Sequence, residues 1–115
     1  MTESPRVARV SEEFREVLAE EIPRLKDPRI GFVTITAVKV TPDLRKARVS
    51  YTVLGDEKER KGTRAGLRSA QAHLRAVLGH EVRLKFLPEL EFEEDRTEEQ
   101  AARIDELLRE IHRDE

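Results

Sequence analysis

The chain has no cysteine and no tryptophan, and only one tyrosine and four phenylalanines among its 115 residues. Without cysteine there is no disulfide and no thiolate metal site, which suits a reducing compartment. With so few rings, capture of single-stranded nucleic acid by base stacking is poorly supported. No stretch approaches the roughly 18 apolar residues of a membrane span. Residues 1–14, MTESPRVARVSEEF, carry acids and no apolar run, so no secretory leader is expected and the expected location is the cytoplasm. The phosphate-cradling patterns GxGxxG and GxxxxGK are missing, because the close glycines Gly62 and Gly66 fall in GTRAG inside a predicted helix. HEVRL at 80–84 fails the HExxH zinc pattern, since Leu84 stands where a second histidine is needed. His73, His80 and His112 have no metal-ligand spacing, so neither a metal, a cofactor nor an enzymatic activity is expected.

What remains is charge and periodicity. Charged residues make up 40% and apolar ones 37%, enough for one domain with a modest core that buries roughly two-thirds of its unfolded surface. Ser4 and Pro5 are a helix start, and Val7, Val10, Phe14, Val17, Leu18 and Ile22 then recur every three or four residues. Pro23 or Asp27-Pro28 ends that helix. GFVTITAVKV (31–40) and KARVSYTVL (46–54) flank the turn signal TPDL and predict an antiparallel hairpin with one wet face. Gly55-Asp56 opens a second helical region to about Leu78, with Gly79 as its natural stop. At roughly 33 Å that rod would overshoot a short sheet, so a bend is expected. VRLKFLPELEF (82–92) alternates strictly, and Pro88 inside it marks an edge strand or a break. Thr97 and Gln100 fit a capping box for a last helix whose apolar face is Ile104, Leu107, Leu108 and Ile111, with His112 and Arg113 at its end. These elements predict an α+β domain of one three-stranded layer with helices on one face.

The near-neutral total of −2 conceals an uneven distribution. Residues 31–87 hold 12 basic and 5 acidic side chains, whereas 88–115 hold 4 and 12. A basic middle beside an acidic tail points to a surface that faces a polyanion. Lys61, Arg64, Arg68, Gln71 and Arg75 are spaced three, four, three and four. On a helical wheel they span about 80° and lie about 110° from the centre of the apolar stripe, along the rim of a docked helix. Arg64, Arg68 and Arg75 have no acid at any i±3 or i±4 position, so the helix itself neutralises none of them. An ion-pair-laced helix is the alternative, with Glu57 and Lys61 as its ready pair. Arg45, Lys46 and Arg48 around the second strand, and Arg83 and Lys85 on the third, could extend the patch. Forked arginine donors suit phosphate, and with few aromatics phosphate contact should dominate base reading. Glu89, Glu91 and Glu93 alternate along one strand face and read as a solvated edge rather than a cation site.

The stretches RVARVSEEFREVLAEEI, LKDPRIGFVTITAVKVTPDLRKARVSYTVLGD (25–56) and VRLKFLPELEFEEDRTEEQAARIDELL (82–108) resemble the ribosome-binding factor A family over nearly the whole chain. The resemblance implies a type II KH-like fold, α-β-β-α-kink-α-β, over residues 1–95, with an acidic C-terminal helical extension over 96–115. KH domains grip RNA through a GxxG loop between two helices, which this family replaces by a kink with an Ala-x-Gly signature. Here those positions are Ala70, Gln71 and Ala72, with alanine where glycine is usual. The small side chains would let two half-helices bend and another backbone approach, and losing the glycine should stiffen the bend. The resemblance also implies a non-catalytic, monomeric assembly factor that binds the free 30S subunit through 16S rRNA. Its task would be late maturation, including 16S rRNA 5′-end processing, with small-subunit proteins and an assembly GTPase as further partners. The competing reading is a protein-interaction module that uses the acidic helix and no RNA. A hydrolase built on Glu89–Asp95 is a third, and nothing else in the chain supports it.

Overall fold

A computed structural model describes residues 4–96 and 106–111. Helix α1 (Pro5–Glu21) starts where expected: the Ser4 side chain accepts from the Val7 N–H at 3.2 Å, and Pro5 occupies the first turn. Its buried stripe is Val7, Val10, Phe14 and Leu18. The helix tightens into a 3-10 turn, Ile22–Arg24, at Pro23.

Strands β1 (Phe32–Val40) and β2 (Lys46–Leu54) form the hairpin. Thr41–Leu44 closes its turn, with the Leu44 N–H donating to the Thr41 carbonyl at 2.8 Å and Leu44 itself left-handed at φ 61°. A bulge at Thr36 lets Val33 and Ile35 face inward before it and Val38 and Val40 after it. The Val40 N–H donates to the buried Ser11 hydroxyl at 3.1 Å, tying β1 to α1.

The crossover is α2 (Glu57–Ser69) and α3 (Gln71–Glu81), parted at Ala70, whose ψ of −3° departs from the regular helical value of about −42°. The expected bend is therefore one residue wide. Strand β3 (Glu89–Glu94) then pairs parallel to β2, giving the order β1-β2-β3. This is the type II KH-like arrangement. The helices cover one face, where Phe14, Leu18, Leu67, Leu74 and Leu78 meet Ala47, Val49, Tyr51 and Leu90 in one core. Tyr51 and Phe92 meet edge to face at 6.4 Å.

Two expectations need correction. Helix α3 does not stop at Gly79 but runs to Glu81. An added Cβ at Gly79 would lie 2.3 Å from Leu87 Cδ2, so this glycine makes room for a neighbour instead of capping the helix. The strict alternation from Val82 does not make a strand before Glu89, because Pro88 has no N–H for a ladder. The part of the expected C-terminal apolar face that is described is open to solvent. Residues 106–111 are helical, but Leu107, Leu108 and Ile111 remain 58%, 49% and 57% exposed. The proposed cap at Thr97 and Gln100, with Ile104, His112 and Arg113, lies outside the described residues.

Candidate nucleic-acid interface

Helix α2 begins with Gly55 at φ 145°, followed by a capping box in which Asp56 accepts from the Glu59 N–H at 2.9 Å. Where α2 crosses the segment leading into β1 it presents glycine on either side of Thr63. An added Cβ at Gly66 would meet Ile30 Cγ1 at 2.5 Å, and one at Gly62 would meet the Arg29 carbonyl oxygen at 3.1 Å. Between them the buried Thr63 hydroxyl accepts from the Gly31 N–H at 3.0 Å and donates to the Arg29 carbonyl at 3.5 Å. The glycines that form no nucleotide loop thus seat the segment leading into β1.

With that face pressed inward, the charged side chains of α2 turn to solvent. Lys61 and Arg68 are exposed and, among the described residues, have no hydrogen-bond or ion-pair partner. The expected Glu57–Lys61 pair does not form, since Glu57 lies 3.3 Å from Arg96 and 3.9 Å from Arg60. Arg64 is also exposed, and its charge acts on the Tyr51 phenol. Burial raises that phenol above its ordinary pKa, the Glu94 charge adds to the shift, and Arg64 and Arg96 oppose it.

The stripe changes character across Ala70. Gln71 donates to the Leu90 carbonyl at 2.8 Å. Arg75 donates to the carbonyls of Pro88 and Leu87, both at 3.0 Å. Gln71 holds the start of β3 and Arg75 the two residues before it, so Arg75 does not present its guanidinium freely. Ala70 is half-buried on the core, while Ala72 is exposed to solvent rather than pressed against another backbone.

The remaining predicted residues divide again. Lys46 and Arg48 lie on the open sheet face, 3.4 Å from Glu91 and 3.7 Å from Glu93. The parallel register of β3 brings those carboxylates over and largely neutralises both cations. Arg45 and Lys85 flank Phe86, their charged ends 4.8 and 5.7 Å from its ring centre. Arg83 lines a groove of about 580 Å³ together with Arg6 and Arg9 of α1. The nine cations proposed from sequence are thus not one ledge. Lys61, Arg64 and Arg68 stand together on α2, Arg45 and Lys85 meet at Phe86, and Arg83 lies in a groove that also holds Glu13, Glu16 and Glu81.

Sequence reasoning passed over Lys58, exposed one turn before Lys61, and over Arg6 and Arg9. A signal for the last two existed. They occupy the start of α1, which carries no acid in its first turn, although the helix dipole favours acids there. Among the described residues no group of three or more His, Asp or Glu is placed to hold a metal, and no helix is long and apolar enough to cross a membrane.

The fold and this surface define a class: a KH-like domain whose paired helices meet at a one-residue break, with unneutralised cations on the first of them. A family model for ribosome-binding factor A matches residues 6–108, and the chain belongs to that family. It is 50% identical over 107 residues to the ribosome-binding factor A of Geobacter sulfurreducens, covering 92% of this chain and 91% of the relative. The solution structure of the Thermotoga maritima relative is 34% identical, with a TM-score of 0.72 over 84% of this chain and 93% of that one. A homology model of the Thermus thermophilus ribosome binding factor A, fitted into a cryo-EM map of a 30S complex, is similar at TM-score 0.66 and 34% identity, over 77% and 94% of the two chains.

Proposed function

We propose that this protein is a non-catalytic assembly factor that binds the free 30S subunit through 16S rRNA and assists its late maturation, including processing of the 16S rRNA 5′ end. The observation that carries the reading is the outward face of α2, where Lys61 and Arg68 have no partner among the described residues and Arg64 stands between them. Backbone phosphates would supply the missing counter-charge. Kinship with a protein seen in a 30S complex supports the same target. Residues 1–95 form the KH-like binding domain and 96–115 an acidic extension. The protein works as a monomer in the cytoplasm, by favouring one rRNA arrangement over others. Small-subunit proteins and an assembly GTPase are further partners.

Sedimentation with separated small and large subunits at two salt concentrations tests this. The chain should co-migrate with small subunits only. Lys61→Glu, Arg64→Glu and Arg68→Glu together should abolish co-migration, and unchanged binding by that variant refutes the proposal. One observation favours the protein-interaction reading: the exposed Leu107, Leu108 and Ile111. Co-purification of subunit proteins that survives complete RNA digestion would establish it.

A further inference from the structure

Phe86 is a half-exposed ring, 51% accessible, in a chain with very few rings. It borders a cleft of about 220 Å³ shared with Arg6, Pro42, Leu44, Leu84 and Lys85. The Arg45 guanidinium lies over the ring at 4.8 Å and the Lys85 ammonium at 5.7 Å. Cations from three separate segments therefore border this ring or the cleft beside it. The carboxylate that lines the cleft, Asp43, keeps its charge, its Oδ1 accepting from the Thr41 hydroxyl at 2.6 Å and from the Arg45 N–H at 3.1 Å, and Arg6 and Lys85 outnumber it. The cleft is smaller than the about 300–1,000 Å³ of drug-sized sites and suits a single flat ring.

We propose that this cleft holds one unpaired nucleotide of RNA, its base stacked on the Phe86 ring and its flanking phosphates held by Arg6 and Lys85. The inference rests on the rRNA reading above and adds a second, separate contact to it, of a kind that α2 does not offer. An aromatic ring and a guanidinium both accept a base by its face, without regard to sequence. An acidic peptide would satisfy the cations but leave the ring without a stacking partner. Low aromatic content speaks against stacking as the general mode of binding. The structure places one of the few rings where a single stack is possible.

The test uses the full chain with a six-nucleotide oligoadenylate, the same backbone with every base removed, and a hexaglutamate peptide. Phe86→Trp introduces the chain's only tryptophan, and its fluorescence should be quenched by the oligoadenylate alone. The wild type should bind the base-bearing strand about tenfold to a hundredfold more tightly than the abasic one. In Phe86→Leu that ratio should fall to about one with the salt dependence unchanged, since no charge is removed. Equal affinity of the wild type for the two strands, an unaltered ratio in Phe86→Leu, or hexaglutamate binding as tight as oligoadenylate overturns the inference. Loss of subunit binding in the α2 charge-reversal variant beside equal strand affinities would sink the cleft and leave the assembly role standing. Base discrimination beside unimpaired subunit binding in that variant would do the reverse.

Discussion

On α2, Lys61 and Arg68 reach solvent with no partner among the described residues, whereas on α3 Gln71, His73 and Arg75 each meet another protein group. His73 Nε2 lies 3.0 Å from a Glu21 carboxylate oxygen, Gln71 holds the start of β3 and Arg75 the segment before it. The spacing of the polar stripe is uniform from residue 61 to 75, yet its two halves do different work. What separates them is what lies within reach. α2 faces the short lead-in to β1 with glycines, while α3 runs beside the carbonyls of residues 87, 88 and 90, at and just before the start of β3. Regular spacing on a helix locates a stripe; it does not say whether the stripe binds or braces.

Exchanging the two sets for alanine breaks the comparison most sharply. Replacing Gln71 and Arg75 removes charge-assisted and neutral hydrogen bonds together worth about 3 kcal/mol, a fall in Tm of about 10–20 °C in a domain this small. Replacing Lys61 and Arg68 should leave stability within about 0.5 kcal/mol of the parent. The same change should flatten the salt dependence of subunit binding, its log–log slope falling by about 0.7–0.9 for every phosphate no longer neutralised. Arg75→Lys keeps the charge without the fork and should show much of the thermal loss. Next in size, Gly66→Ala pushes a methyl into Ile30; overpacking of about 1–3 kcal/mol is only partly offset by the gain of about 1 kcal/mol in helix propensity, which thermal melts will register as a net loss. Ala72→Gly restores the residue usual in the family signature and should cost about 0.5–1 kcal/mol, with faster amide exchange in the first turn of α3. Smallest is the alkaline limb. The Tyr51 pKa is raised in the folded state, so its contribution is complete below the ordinary value of 10.0 and is lost as pH climbs through the raised value. Tyr51→Phe should flatten the fall of Tm above pH 10.

Much of this architecture was legible. The α1 stripe, the hairpin around TPDL and the need for a bend all followed from local periodicity and turn chemistry, which operate within a few residues. The Thr36 bulge had a signal too, in Val33 and Ile35 alternating one residue out of phase with Val38 and Val40. The fates of Lys46, Arg48 and Arg75 were not readable, because each depends on where β3 lies beside β2 or α3, and parallel pairing leaves no local mark. Phe86 was hidden for the opposite reason. Strict alternation placed it with Leu84 and Pro88 facing inward, but the residues before Pro88 form no strand and are free of that rule.

The parallel pairing of β3 also sets an order of events. Residue 46 finds its partner at residue 89, so 43 further residues must emerge before the sheet can be completed. At about 5–20 residues per second of synthesis, the hairpin waits for roughly two to nine seconds with one margin of β2 uncovered. Such a margin is a template for wrong pairing, and lysine or arginine beside it is a recognised deterrent. Lys46 and Arg48, paired with Glu91 and Glu93 in the finished molecule, lie along that margin.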